Sequence, residues 1–156
     1  RYSSRYSSWF PSYGPEQRGG SSSCNVAVSG LPIGSPDAPQ PDVLVCMNRP
    51  AYDRFASTVK KGGVIVCDTT VDISEQPPEG VKLYMMPALK LAMDLGVPKA
   101  INTVMLAALA HLGVTGLSTG RLLDALDDSF KKKPKLIPIN REIFQKAFAW
   151  CEENWK

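Results

Sequence analysis

Short apolar runs divide the middle of the chain into segments of strand and helix length. Residues 42–47 and 63–67 are almost continuously apolar, and residues 50–59 between them have the length of a helix that ends in two lysines and two glycines. Runs that are apolar on both faces are typical of parallel strands. Glycine after a basic last turn is a common helix stop. The pattern therefore predicts a strand, helix, strand unit in a parallel sheet.

The flanking segments extend this pattern on both sides. Residues 24–29 alternate polar and β-forming side chains, which predicts a strand with one covered face and one more polar face. A further strand is predicted at 81–86, and the apolar residues of 101–112 recur at helical spacing. Ser118 and Asn140 are predicted to cap the last two helices. The predicted fold class is α/β: an open, mostly parallel, twisted sheet flanked by helices in a Rossmann-like three-layer arrangement, with a helical C-terminal third.

The first residues do not fit this pattern. Residues 1–8 read RYSSRYSS, a tandem repeat without apolar periodicity, so we predict a disordered head, or a segment foreign to the native chain, with no role in the fold. Residues 9–23 are rich in proline, glycine and serine but also contain aromatic anchors, which predicts a loop. A chain of 156 residues suffices for one core, so residues 9–156 are predicted to form a single domain.

Composition narrows the class of protein. A hydrophobic fraction of 44% and a net charge of only +3 are ordinary for a soluble protein, and they argue against a nucleic-acid partner. The four cysteines include no C-x-x-C pair, which favours reduced structural thiols. The longest apolar run, 103–112, is too short to span a bilayer. We therefore predict a cytoplasmic protein without a membrane partner.

Self-contained catalytic or metal chemistry has little support in the sequence. The single histidine, His111, lies in the middle of a predicted helix with no acid or nucleophile assigned to it by any motif. No spacing of histidines, cysteines or aspartates suits a metal. We predict no catalytic residue and no metal ligand in this chain.

Two segments could bind an anionic ligand. One segment directly follows Tyr13 and consists of Gly14, Pro15, Glu16, Gln17, Arg18, Gly19 and Gly20, then the serines at 21–23. Its arginine supplies a cation, its glycines let the backbone approach a ligand closely, and its three serines supply hydroxyls. A Gly-Ser turn with a solvent-facing arginine would have the same sequence. The other is Asn48 with Arg49, where the first apolar strand ends and ligands of α/β sheets bind. Asn48 could equally cap the helix that follows.

The same N-terminal segment carries a family resemblance. Residues 9–20 (WFPSYGPEQRGG), then 24–26 (CNV) and 32–36 (PIGSP), resemble the gamma subunit of pyruvate, 2-oxoglutarate or 2-oxoisovalerate ferredoxin oxidoreductases. The resemblance continues through 41–44 (PDVL), 60–63 (KKGG) and 102–106 (NTVML), in family order over nearly the whole chain from Trp9.

The resemblance implies a multi-subunit enzyme that converts a 2-oxoacid to acyl-CoA and passes electrons to ferredoxin, with coenzyme A as co-substrate. Thiamine diphosphate, Mg and iron–sulfur clusters would lie in the partner alpha, beta and delta (ferredoxin-like) subunits, and this chain alone would hold no cofactor and not be catalytic. It would contribute subunit packing and a coenzyme A contact. Carried over by position, that contact falls on Tyr13, Gly14, Pro15, Glu16, Gln17, Arg18, Gly19 and Gly20, with Asn48 next.

Further expectations accompany this interpretation. The family opens with a strand and a G-x-G-G-Q-G turn, and because no such unit precedes Trp9, we expect a truncated or interrupted sequence or another segment in its place. The lysine-rich run 131–135 could dock an acidic ferredoxin or form a solvated helix end. The alternatives are a subunit of indolepyruvate ferredoxin oxidoreductase and a purely structural scaffold. The 2-oxoacid itself is not determined, since its selection would lie with the thiamine-bearing subunits.

Overall fold

A hairpin and a parallel sheet make up the β structure of this chain. The computed structural model describes residues 6–13, 22–35 and 39–155. The strands are β1 (Tyr6–Tyr13), β2 (Ser22–Ser29), β3 (Val43–Cys46), β4 (Val64–Asp68) and β5 (Lys82–Met86). The helices are α1 (Arg49–Phe55), α2 (Ala88–Asp94), α3 (Ile101–His111), α4 (Thr119–Ser129) and α5 (Ile137–Asn154), with short 3-10 turns at Ala56–Thr58, Pro98–Ala100 and Pro134–Leu136.

The parallel sheet has three strands in the order β3, β4, β5 within the described residues. Cys46 is in register with Cys67, and Cys67 with Met85, so the three carboxyl ends meet at one edge. The predicted strand, helix, strand unit is confirmed: α1 follows β3, and the chain turns into β4 through Gly62. Gly62 has a φ of 85°, a conformation that glycine adopts without steric cost.

Alternating side chains of the sheet pack into two separate hydrophobic clusters. On one face Cys46, Ile65 and Cys67 pack with residues of α1. On the other face Val66 and Met86 pack with α2, α3, α4 and α5. Helices therefore cover both faces of a parallel sheet, and the last third of the chain is helical. The predicted fold class is confirmed.

The caps of the last two helices differ from each other. Ser118 caps α4 as predicted, because its hydroxyl accepts a hydrogen bond from the backbone N–H of Arg121 at 3.4 Å. The prediction that Asn140 caps the last helix is wrong, because α5 begins at Ile137, and Pro138 is tolerated in that first turn. Asn140 is buried inside α5, where its Oδ1 accepts from the hydroxyl of Thr103 in α3 at 2.8 Å. It joins two helices rather than starting one.

The N-terminal hairpin was not predicted. Tyr6, Ser7 and Ser8 pair with Ser29, Val28 and Ala27, so part of the segment expected to have no role in the fold belongs to β1. Residues 9–13, expected to be loop, complete the same strand. Aromatic side chains favour strands and the serines between them are compatible with one once a partner is present, and β2 supplies that partner. Residues 1–5 lie outside the described part of the chain.

The strand predicted at 24–29 is confirmed, but its faces are reversed. Along β2 the half-buried positions are Ser23, Asn25, Ala27 and Ser29, whereas the alternate positions, which include Val26 and Val28, are exposed. The two valines of β2 thus lie on its more exposed face. Hydrophobic alternation identifies a strand, but it does not show which partner covers the apolar face.

Candidate functional site

The segment that carries the family motif connects the two strands of the hairpin. Tyr13 is the last residue of β1 and lies opposite Ser22, the first residue of β2. The predicted ligand-binding residues Gly14, Pro15, Glu16, Gln17, Arg18, Gly19 and Gly20 lie between these paired ends and outside the described residues. The antiparallel ladder therefore fixes both ends of the segment at adjacent positions.

Asn48, the other predicted contact, lies at the carboxyl end of β3. Its backbone is extended (φ −155°), and its Oδ1 accepts a hydrogen bond from the backbone N–H of Ala51 at 2.9 Å. Asn48 is thus the N-cap of α1, which was the alternative interpretation of this residue. The cap uses the carbonyl oxygen of the amide, and the amide nitrogen of the same side chain is what a ligand would contact.

Substitutions at Asn48 separate these two roles. We expect Asn48→Ala to lower the free energy of unfolding by about 1 kcal/mol because it removes the cap, and Asn48→Asp to retain that stability because aspartate caps equally well. If the amide nitrogen also contacts a ligand, Asn48→Asp weakens ligand binding at unchanged stability. Urea titrations of both variants, with coenzyme A affinity measured on the assembled enzyme, check this. A ligand affinity that follows stability in both variants would leave Asn48 as a cap only.

Arg49 next to it is held by the loop that follows β4. Its Nε donates to Asp53 Oδ1 at 2.7 Å, and its two terminal nitrogens donate to Glu75 at 2.7 and 3.2 Å. One of them also donates to the carbonyl oxygen of Asp72 at 2.6 Å. Hydrogen bonds from its own backbone N–H and then from Arg49 lower the pKa of Glu75. An anion could recruit Arg49 only by breaking these bonds, so its role here is to fix the loop.

A buried carboxylate that the sequence analysis missed lies at the end of β4. Asp68 is 1% exposed, and its two oxygens accept from the backbone N–H groups of Thr70 and Leu89, each at 3.0 Å. It thereby satisfies the first turn of α2, which has no cap of its own. The signal available in the sequence was an acidic residue directly after an apolar run, at the edge where the strands end.

Buried cysteines lie beneath the same edge. Cys46 and Cys67 are buried and lie in register on neighbouring strands. The adjacent Cys46 side chain, together with burial, raises the pKa of Cys67 above its ordinary value. Burial likewise raises the pKa of Cys151 to about 12. Buried thiols whose pKa is raised, here Cys67 and Cys151, pack as small hydrophobic groups and are poor nucleophiles.

Neither a metal-binding cluster nor a membrane-spanning helix is found among the described residues. No group of three or more histidines, cysteines, aspartates or glutamates among them could hold a metal ion. None of the helices that the structure describes is long and apolar enough to cross a bilayer.

The lysine-rich run lies between α4 and α5. It is exposed from residue 131 to residue 136, and Lys131 pairs with Asp128.

The fold and the position of the motif define an open α/β domain that carries its family motif on a separate hairpin. The chain belongs to the pyruvate ferredoxin/flavodoxin oxidoreductase family, whose profile matches residues 1–150. The resemblance to gamma-type subunits of 2-oxoacid:ferredoxin oxidoreductases is confirmed by the relatives that follow.

Two curated relatives illustrate the match. The ketoisovalerate oxidoreductase subunit VorA of Methanothermobacter marburgensis is 44% identical over 151 residues, which is 96% of this chain and 31% of that protein. The 2-oxoglutarate synthase subunit KorC of Methanocaldococcus jannaschii is 40% identical over 103 residues, which is 65% of this chain and 55% of KorC. The chain therefore spans about a third of the length of the first of these relatives and about half of the second.

Two solved structures share the fold over almost the whole chain. The gamma subunit of a keto/oxoacid ferredoxin oxidoreductase from Geobacter sulfurreducens aligns with a TM-score of 0.73 at 26% identity, covering 95% of this chain and 81% of that one. The 2-oxoglutarate:ferredoxin oxidoreductase from Magnetococcus marinus, solved with 2-oxoglutarate, coenzyme A and succinyl-CoA bound, aligns with a TM-score of 0.80 at 26% identity. The match covers 96% of this chain and 26% of that chain.

Proposed function

We propose that this chain is the gamma component of a cytoplasmic 2-oxoacid:ferredoxin oxidoreductase, which oxidatively decarboxylates a 2-oxoacid to acyl-CoA. The supporting observation is the fold match of 96% of the chain to part of an enzyme that was solved with coenzyme A bound. Relatives named for ketoisovalerate, 2-oxoglutarate and pyruvate indicate the substrate class and not the individual acid.

The hairpin segment is the part of the chain that we propose for the coenzyme A contact. Coenzyme A carries phosphate groups, and Arg18 with the backbone N–H groups of Gly19 and Gly20 supplies the donors that phosphate oxygens accept. The β1 and β2 ladder supports this role because it holds both ends of the segment together, which lowers the entropy lost when a loop closes on a ligand. Tyr13 and Asn48 complete the proposed set.

The electron-transfer cofactors are proposed to reside in partner subunits. The described residues supply no cluster of thiolates, since Cys24 lies on the hairpin and the other three cysteines are buried in the body of the domain. Thiamine diphosphate, Mg and the iron–sulfur clusters would then belong to alpha, beta and delta subunits, and ferredoxin would take the electrons. The chain would be an essential but not self-sufficient part of the enzyme.

Anaerobic affinity purification of the chain from its native host tests this function. We expect it to co-purify with thiamine-binding and cluster-bearing polypeptides, identified by mass spectrometry. The preparation should reduce a viologen dye or ferredoxin only when a 2-oxoacid and coenzyme A are both added. Comparing pyruvate, 2-oxoglutarate and 2-oxoisovalerate names the substrate. Recovery of the chain alone, or of an assembled complex that oxidises none of these acids, would contradict the proposal.

A further inference from the structure

The lysine-rich run between α4 and α5 concentrates positive charge. Four of the five residues from 131 to 135 are lysines, and all of them are exposed. Lys131 forms an ion pair with Asp128. The side chains of the other three lysines make no hydrogen bond or ion pair with any residue that the structure describes. They are Lys132, Lys133 and Lys135, which we call the lysine patch.

The backbone beneath the lysine patch is held in a fixed turn. The backbone N–H of Lys133 donates to the carbonyl oxygen of Phe130 at 2.7 Å, and that of Leu136 donates to Lys133 at 2.9 Å. On either side of this turn, Arg141 of α5 donates to both carboxylate oxygens of Asp127 in α4, at 2.6 and 2.9 Å. The lysines therefore stand on an ordered support, which lowers the entropy lost when a partner binds them.

Helix stability does not account for the charge of the lysine patch. Cations are favourable near the C-terminal end of a helix, and Lys131 already fills that role just past the end of α4. Lys135 lies instead just before α5, at the positive end of that helix dipole, and the first turn of α5 contains no acidic residue to offset it. A cation at this position disfavours the helix. Positions that break such a local rule are expected at functional surfaces.

An exposed apolar side chain lies beside these charges. Leu136 directly follows Lys135 and is 38% exposed. A small apolar centre with a charged rim is the composition of a protein interface. Interfaces of weak electron-transfer encounters are small, with less than about 1,200 Å² buried, and charge on their rims speeds association. The lysine patch with Leu136 has this character.

We infer that the lysine patch is a docking surface for the acidic ferredoxin that accepts the electrons of the enzyme. The inference rests on the proposed function, and it names the part of this chain that would contact the acceptor. The family to which the chain belongs is named for ferredoxin and flavodoxin. The iron–sulfur cluster of a ferredoxin is held by thiolates, so it carries negative charge close to the protein surface. Clustered lysines attract such a carrier over a distance and release it readily, as repeated electron delivery requires.

The test removes the charge of the lysine patch and follows two electron acceptors of the assembled enzyme. In Lys132→Gln/Lys133→Gln/Lys135→Gln we expect the KM for host ferredoxin to rise about tenfold at low ionic strength, as the loss of three exposed charge contacts predicts. Reduction of a viologen dye should be unchanged, because a small dye needs no docking surface. Added salt should raise the KM for ferredoxin more steeply in the unsubstituted enzyme than in the variant, since the variant has fewer charges to screen.

The matched control removes three exposed lysines from other elements of the chain. Lys82→Gln/Lys90→Gln/Lys99→Gln changes the net charge equally and should alter the KM for ferredoxin by no more than about twofold. An unaltered KM in the patch variant, equal increases in the two variants, or the same salt dependence with and without the patch would each overturn the inference. So would a parallel loss of viologen reduction, because the lysines would then support the structure of the enzyme. A raised KM for coenzyme A alone would assign the patch to the phosphates of coenzyme A instead.

Direct binding of host ferredoxin to the same preparations, measured by biolayer interferometry at low ionic strength, separates this inference from the proposed function. Weaker ferredoxin binding by the patch variant, in a preparation that oxidises no 2-oxoacid, would support the lysine patch and contradict the function. An active enzyme whose binding and reduction of ferredoxin are indifferent to the three substitutions would do the reverse. Absence of ferredoxin binding by the unsubstituted preparation would also overturn the inference.

Discussion

Replacing Arg18 with alanine should raise the KM for coenzyme A about 10- to 100-fold in the assembled enzyme. A charge-assisted hydrogen bond contributes about 1.5–3 kcal/mol, and each 1.4 kcal/mol is a factor of ten. The other donors proposed for this segment are backbone N–H groups, so its only delocalised cation would be lost. We expect the KM of Arg18→Lys to lie between those of the unsubstituted enzyme and Arg18→Ala, because lysine keeps the charge but lacks the planar guanidinium group. Steady-state kinetics with coenzyme A as the varied substrate measure the effect.

The matched control removes an arginine from another element. Arg121→Ala in α4 should leave the KM for coenzyme A unchanged, which shows that net charge is not the cause. Size-exclusion chromatography of both variants establishes whether the complex remains intact. If Arg18→Ala dissociates the subunits and the KM of the residual enzyme is normal, the segment is a scaffold contact and the coenzyme A contact is wrong. If neither assembly nor KM changes, Arg18 has neither role.

The parallel sheet was predictable because local pattern and tertiary environment agree there. Residues 42–47 and 63–67 are apolar on both faces, and helices cover both faces of β3 and β4. The helix between them, α1, ends at Phe55, and the chain turns into β4 through Gly62, whose positive φ suits the glycine found there. Ser118 behaves similarly, since a cap depends on residues within one turn of it. Such features need no knowledge of distant parts of the chain.

The errors occurred where the interaction partner is distant in sequence or is not among the described residues. Asn140 has the side chain of a cap, but Thr103, 37 residues earlier, provides a buried hydrogen bond that a helix interior can accommodate. Asp68, which no motif singled out, accepts a hydrogen bond from the backbone N–H of Leu89, 21 residues later, in the first turn of α2. The apolar face of β2 was expected to be covered, and none of the described residues buries it. The site followed from motif resemblance alone, and the proposed coenzyme A contact stays a prediction.

Truncating Phe144 to alanine should cost the isolated chain about 3–5 kcal/mol of unfolding free energy, the usual range for a buried phenylalanine. Phe144 is 1% exposed and belongs to the cluster that joins α5 to the other helices and to the sheet. Total stabilities are only about 5–15 kcal/mol, so the variant should unfold at much lower urea concentration. Phe10→Ala is the control: it removes the same side chain from the hairpin, where it is 48% exposed and outside both clusters, and should change the unfolding free energy by no more than about 0.5 kcal/mol. Equal losses in the two variants would mean that the hairpin unfolds together with the core.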